Sequence, residues 1–399
     1  MATPLVPFPN VETAGPSPPF SPIDDEPPLR WQRALHLAPR DSLGVGRRAV
    51  VFALAGWLPI ALWALIRDRL IHGTAGEPLL QHYGVHVRCL VAIPLLILGE
   101  ATLHKAALRY FPQFITMGLV DDATQPAFET VLRTAQRWRD RALPWLLTLG
   151  TALVWTFASR AASHGDELSW ALDEKGRLGF GGVWFVYVVR PLFVALLLAW
   201  LWRIALLMLF FARIGKLNLS LVPSHPDRVG GLGFLAKLPN AFAPVSLALS
   251  ATIASRWAHQ VVYHQQSVMA LKLPAATFVV VWSLLMIAPL VPLMPVLLAA
   301  KRAAVPTYSA MVAEQGRLVR RRWIDGTAKG DSPLLEPDGV GVIADAATMY
   351  NAVRSMRILP IGKPSLVGIL LPIVAPMLVV AALQIPIKTL LLGLLKTLI

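Results

Sequence analysis

Seven apolar runs punctuate the chain, at roughly residues 49–66, 85–103, 143–159, 183–213, 241–263, 274–300 and 365–384. They are close to or beyond the ~20 residues with which an α-helix crosses the hydrocarbon core of a bilayer. Apolar positions within them are continuous rather than alternating, so the pattern predicts membrane-spanning helices and not half-buried strands. The fourth run is long enough to reach about 46 Å as a helix, so it must tilt or project beyond the bilayer. Prolines recur inside the runs (Pro59, Pro94, Pro191, Pro244, Pro289, Pro292, Pro295, Pro372 and Pro376). Kinks at these points need neighbouring helices or water to satisfy the freed carbonyls.

Between the runs the period changes. Residues 126–141 carry an apolar stripe of Phe128, Val131, Ala135 and Trp138 beside a basic stripe of Arg133, Arg137 and Arg141, which predicts an amphipathic helix starting at Pro126. The connection 301–364 predicts two more helices. One runs from Pro306 to Ile324; the other covers about 342–358 and presents Val342, Ala346, Met349, Val353 and Met356 on one face. At the ends, residues 1–29 hold nine prolines and the acidic run Asp24-Asp25-Glu26, a composition expected of a disordered tail. Residues 385–399 repeat Lys-Thr-Leu among leucines and predict an amphipathic helix lying on the outer face.

Composition agrees with this plan. Of 399 residues, 55% are hydrophobic and 15% charged, against about 25% charged in soluble domains. The fold class expected is therefore all-α, a polytopic transmembrane bundle of about seven spans. Spans one to six and a helical loop at 104–142 occupy residues 30–300, and span seven occupies 365–384. The formal charge of +14 is explained by where it lies. The N-terminal tail and the connections 104–142, 213–240 and 301–364 carry five, six, four and ten Lys and Arg. The connections 67–84, 160–182 and 264–273 carry two, three and one. By the positive-inside rule the N-terminus is cytoplasmic and the C-terminus outside, in a bacterial inner membrane. The bilayer and a second copy of the chain are the partners this implies, and nucleic acid is not. A single cysteine, Cys89, excludes an internal disulfide and a cysteine metal cluster.

Ionisable residues inside spans are functional candidates by default. Glu100 and Arg203 fall at a similar depth on the second and fourth spans, so an ion pair is the simplest way to satisfy both. Arg88, Arg190 and Arg256 fall near the outer ends of three spans and could ring an anion-attracting vestibule, or snorkel separately. His72, His82, His86, His164, His259 and His264 also map outside. His82 and His86 are spaced to share a helical face, but no Cys or Glu alongside them completes a site. No metal and no cofactor are expected.

The stretch Leu217–His264 stands apart in composition. Its span repeats small residues at Ser246, Ser250, Ala254 and Ala258, a stripe suited to close helix packing. Thr252, Ser255, Arg256 and His259 lie alongside, suited to a water-filled path or to bonding back onto the helix. The span is preceded by Ser224-His225-Pro226-Asp227-Arg228-Val229-Gly230-Gly231-Leu232-Gly233. The string His-Pro-Asp-x-x-Gly-Gly-Leu-Gly resembles a loop of uncharacterised bacterial multi-pass membrane proteins, over about 20 residues, and that resemblance implies no activity. The His-Pro-Asp tripeptide of J-domain co-chaperones is set aside, since it follows a soluble basic helix there. The order of spans is similar to that of insect chemoreceptor channels at the level of topology alone.

A channel or transporter for ions or small solutes, assembled as an oligomer, is the leading expectation, with Ser246, Ser250, Thr252, Ser255, Arg256 and His259 as path residues. Two alternatives stand beside it. One is a surface enzyme for a lipid or phosphorylated substrate, with His225 as base, Asp227 orienting it and Arg228 holding phosphate. The other is a sensor or scaffold.

Overall fold

The computed structural model describes residues 20–39, 42–71, 77–159, 166–172, 177–326 and 339–385. Apart from an isolated antiparallel bridge between Leu172 and Leu178, the regular structure of these residues is helical. The principal helices are α1 (Pro27–Ala34), α2 (Val45–Ile66), α3 (Tyr83–Thr116), α4 (Gln125–Asp140), α5 (Ala142–Ser159), α6 (Phe180–Ile214), α7 (Leu232–Tyr263), α8 (Val268–Val319), α9 (Gly339–Arg354) and α10 (Lys363–Ala381). Six of them, α2, α3, α6, α7, α8 and α10, are long and apolar enough to cross a membrane. The 18-residue helix α5 falls on the third apolar run and packs along α6.

Proline positions explain the irregular turns. The π turns Arg88–Ala92 in α3 and Phe185–Val189 in α6 end two residues before Pro94 and Pro191. A proline has no N–H to donate to the previous turn and its ring crowds the carbonyl there, so the helix widens locally. In α8, Pro289 and Pro292 coincide with a tight 3₁₀ stretch at Ala288–Leu293.

Two expectations are corrected. Pro306 does not begin a separate helix: it lies inside the continuous segment Met294–Val319, so the sixth span and the first helix of the 301–364 connection are one element of 52 residues. At 1.5 Å per residue that is about 78 Å, more than twice the thickness of a hydrocarbon core. The tail is corrected too. Residues 20–29, expected to be disordered, are packed into the bundle with Phe20, Ile23, Glu26 and Leu29 buried. Phe20 stacks on Phe111 and lies against Phe210, so an aromatic anchor outweighs the Pro-rich composition. Residues 1–19 and 386–399 lie outside the described residues, and with them most of the expected outer-face tail.

The core runs through α3, α6 and α7. Gly99 allows the three to converge, since a Cβ there would stand 2.9 Å from the Trp200 ring and 3.2 Å from Val245. Trp200 donates its indole N–H to the Leu96 carbonyl at 3.0 Å across the same contact. On its other side α7 packs along α10, where Gly368 gives room to Asn240. The helix α4 buries Phe128, Val131 and Ala135 against the end of α6.

Candidate functional site

Beside the Gly99 crossing lies a cluster of four ionisable side chains: Glu26, Arg48, Glu100 and Arg203, each exposed by 2% or less. Arg48 Nη1 donates to Glu100 Oε2 at 2.6 Å, and Arg203 Nη2 donates to Glu100 Oε1 at 2.8 Å. Arg203 also holds Glu26, through Nε at 3.2 Å and through Nη2. Arg48 continues the chain to the Gln32 side chain and, at 3.3 Å, to the Leu43 carbonyl. The Arg203 guanidinium lies over the Trp200 and Trp145 rings, 5.0 and 5.9 Å from their centroids.

With all four groups ionised the cluster is neutral in sum, which is what makes its burial tolerable. An isolated buried charge is far more costly than a bonded pair. Glu100 and Arg203, both inside spans, thus meet, but in a group of four. Sequence reasoning missed Glu26 and Arg48. Glu26 stood in a segment read as disordered, and Arg48 was counted only among the five Lys and Arg of the N-terminal tail. A usable signal was the apolar trio Phe20, Ile23 and Leu29, which is too regular for a purely solvated tail. Burial pushes the Glu26 carboxyl up to about 7, against the opposing pull of the Arg203 charge.

The polar residues of α7 are held by local partners. Ser246 accepts the Trp282 indole N–H at 3.0 Å, and Ser250 donates to the Ile373 carbonyl of α10. Thr252 and Ser255 donate to carbonyls of their own helix, those of Ala248 and Thr252. Arg256 is exposed on the side of α7. Of the residues expected at the vestibule, Arg88 and Arg190 both stack on Phe185, at 5.2 and 5.4 Å from its centroid.

The turn before α7 is organised by Asp227. Its carboxylate accepts the backbone N–H groups of Val229 at 2.8 Å, Gly231 at 3.3 Å and Gly233 at 2.8 Å. Gly230 and Gly231 have φ of 67° and 96°, a region that suits glycine. Arg228 shares the left-handed conformation, with φ of 59°. His225 Nδ1 lies 3.0 Å from Asp227 Oδ1, at the edge of the turn. Arg357 clamps the loop from outside, donating its backbone N–H to the Arg228 carbonyl and its guanidinium to that of Asp227.

At the other end of α3 and α7 the side chains of Glu77, His82 and His259 converge, each able to offer one ligand atom and those atoms all within 4.8 Å of one another. The His82 and His259 rings stack with centroids 4.9 Å apart. Tyr83 and Tyr263 join hydroxyls at 3.2 Å beside them. His86, paired with His82 by spacing, is engaged differently. It takes the Trp57 indole N–H on Nδ1 at 2.9 Å and faces the Leu79 carbonyl with Nε2 at 3.0 Å. Glu77 went unnoticed in the sequence although it lies five residues before His82. It stands in a connection rather than in the register of the helix. His72 and His164 lie outside the described residues.

These features define a multi-helical protein whose six apolar helices suit a membrane, with an ionic cluster toward one end of the bundle and a His–Tyr–Glu cluster at the other. No known family model matches the chain, and neither a curated protein nor a solved structure is significantly similar to it.

Proposed function

We propose that the protein is an inner-membrane transporter for ions or small solutes. Its cytoplasmic gate is the Glu26–Arg203–Glu100–Arg48 network. The observation that carries this reading is the network itself: four buried ionisable groups bind an N-terminal segment onto the apolar helices α2, α3 and α6. Pure scaffolding is achieved more cheaply by apolar side chains of similar volume. Intramembrane charges, by contrast, accompany ion and solute pathways. Such a network has two low-energy arrangements, closed on itself or opened and bonded to water or solute, which is what a gate requires. The distribution of Lys and Arg supports a cytoplasmic position for this end and for the N-terminus. The bonded hydroxyls of α7 favour a carrier over a permanently wet pore. Self-association in the bilayer belongs to the same reading.

The test is flux from proteoliposomes loaded with dyes reporting protons, potassium or chloride. Arg203→Met and Glu26→Gln should each change the flux of at least one ion by tenfold or more relative to the parent protein, on the scale of a lost gate interaction. A bilayer that stays tight with every variant, at every pH and ion composition, rejects transport.

A further inference from the structure

We propose that Glu77, His82 and His259 form a binding site for a divalent transition-metal ion of the zinc class, with Ser169 or water as the fourth ligand. The site goes beyond the transport reading and does not depend on it.

The argument begins with His259, which is 8% exposed. Its Nδ1 lies 3.0 Å from the Gln81 carbonyl. A carbonyl only accepts, so Nδ1 carries the ring proton and a neutral His259 presents a lone pair at Nε2. That Nε2 faces Glu77 Oε2 at 3.2 Å, and neither buried atom has a hydrogen-bond partner. Two lone-pair atoms aimed at each other in a protein interior need a cation. A proton on His259 would answer one edge. The same Glu77 oxygen, however, also lies 3.5 Å from His82 Nε2, and the two imidazoles are stacked face to face. Two adjacent imidazolium rings repel, whereas one divalent ion serves both neutral rings and the carboxylate together.

Dimensions agree. With metal–ligand bonds near 2.0 Å, the edge of a coordination tetrahedron is about 3.3 Å, between the two separations from Glu77 just given, and the third pair of ligand atoms lies within 4.8 Å. Ser169 Oγ lies 3.1 Å from His82 Nε2, close enough to bond an ion or a water held beside that nitrogen. The Gln81 carbonyl that fixes His259 is the kind of outer partner by which ligating histidines are oriented. Two histidines and one glutamate, with nitrogen and oxygen donors and no thiolate, favour zinc or a neighbouring first-row ion over magnesium or calcium. A bound ion ties the connection before α3, the start of α3 and the end of α7 into one unit.

The experiment uses the full-length protein in detergent, purified on a tag without histidine, stripped with EDTA and then titrated with Zn²⁺ and Co²⁺. One equivalent should bind, with the intense visible bands of four-coordinate Co²⁺. Glu77→Gln, His82→Gln and His259→Gln should each weaken binding at least about tenfold, while His86→Gln and His225→Gln leave it unchanged. Should a ligand variant fail to elute as a single species, X-ray absorption of the zinc-loaded parent protein supplies the readout, expected to show four nitrogen or oxygen neighbours including two imidazoles. The proposal is overturned if the parent protein binds no more Zn²⁺ than the Glu77→Gln, His259→Gln double variant. It is equally overturned if the absorption spectrum shows a hydrated ion, or if His86→Gln abolishes binding as fully as His259→Gln.

Discussion

Replacing Glu100 by Gln keeps the shape of the side chain and removes its charge from between two guanidinium groups. Glu100 accepts two charge-assisted bonds, from Arg48 at 2.6 Å and from Arg203 at 2.8 Å. Each such bond contributes about 1.5–3 kcal/mol, and removing one partner of a buried ion pair destabilises by about 3–5 kcal/mol. The loss expected for Glu100→Gln is therefore about 4 kcal/mol. Native tryptophan fluorescence reports it during heating in detergent, because Trp200 and Trp145 lie against Arg203. At roughly 2 °C per kcal/mol for a large chain, the apparent midpoint should fall on the order of 8 °C. The second arm removes Arg48 as well. In the double variant Arg48→Met, Glu100→Gln, measured at pH 8 where Glu26 is ionised, Arg203 keeps both bonds to Glu26 and the remaining pair is neutral. The double variant should therefore regain about half of the loss, even though it changes more atoms. A midpoint within about 1 °C of the parent for Glu100→Gln refutes the electrostatic account. So does a double variant that is less stable than the sum of the two single changes.

Three further outcomes are expected. Because burial raises the Glu26 carboxyl to about 7, the folded state binds a proton more tightly than the unfolded chain. The stabilisation is then complete below about pH 4.5 and is lost as pH rises through 7. Glu26→Gln should flatten that part of a midpoint-against-pH profile and match the parent at pH 5. Gly99→Ala forces a methyl group to 2.9 Å from the Trp200 ring and should cost about 1–3 kcal/mol by overpacking, seen as a lower midpoint with a shifted emission maximum. Asp227→Ala leaves three backbone N–H groups of the turn without their acceptor. Faster amide hydrogen exchange over residues 229–233 should report it, with Asp227→Asn intermediate.

The apolar helices were legible because their signal is local: about twenty apolar residues in a row can do little else in water or lipid. The stripe of α4 was legible for the same reason, with Phe128, Val131 and Ala135 at helical spacing. What could not be read was anything fixed by a distant partner. Pro306 looks like a helix start in isolation, yet it sits within α8, whose neighbouring Lys301 donates to the Met356 carbonyl at 2.6 Å. Glu26 is unremarkable until Arg203 is placed beside it, and Glu77 until α3 and α7 bring His82 and His259 together. Composition also misled at the tail. Nine prolines outvote two phenylalanines in any average, but Phe20 reaches the aromatic pocket of Phe111 and Phe210. Ser246 and Ser250 illustrate the converse: their polarity was visible, but whether it faces water or a neighbouring helix depends on Trp282 and Ile373.

The docking of residues 20–29 has a consequence for how the chain is made. Glu26 leaves the ribosome early, but its partner Arg203 follows 177 residues later. At about 5–20 residues per second, the segment waits roughly 10–35 s for its receptor to exist. Throughout that interval α2 and α3 enter the bilayer carrying Arg48 and Glu100 with only each other for compensation. Docking of this segment therefore waits for α6, and a nascent chain arrested before α6 should leave residues 20–29 open to protease until translation resumes.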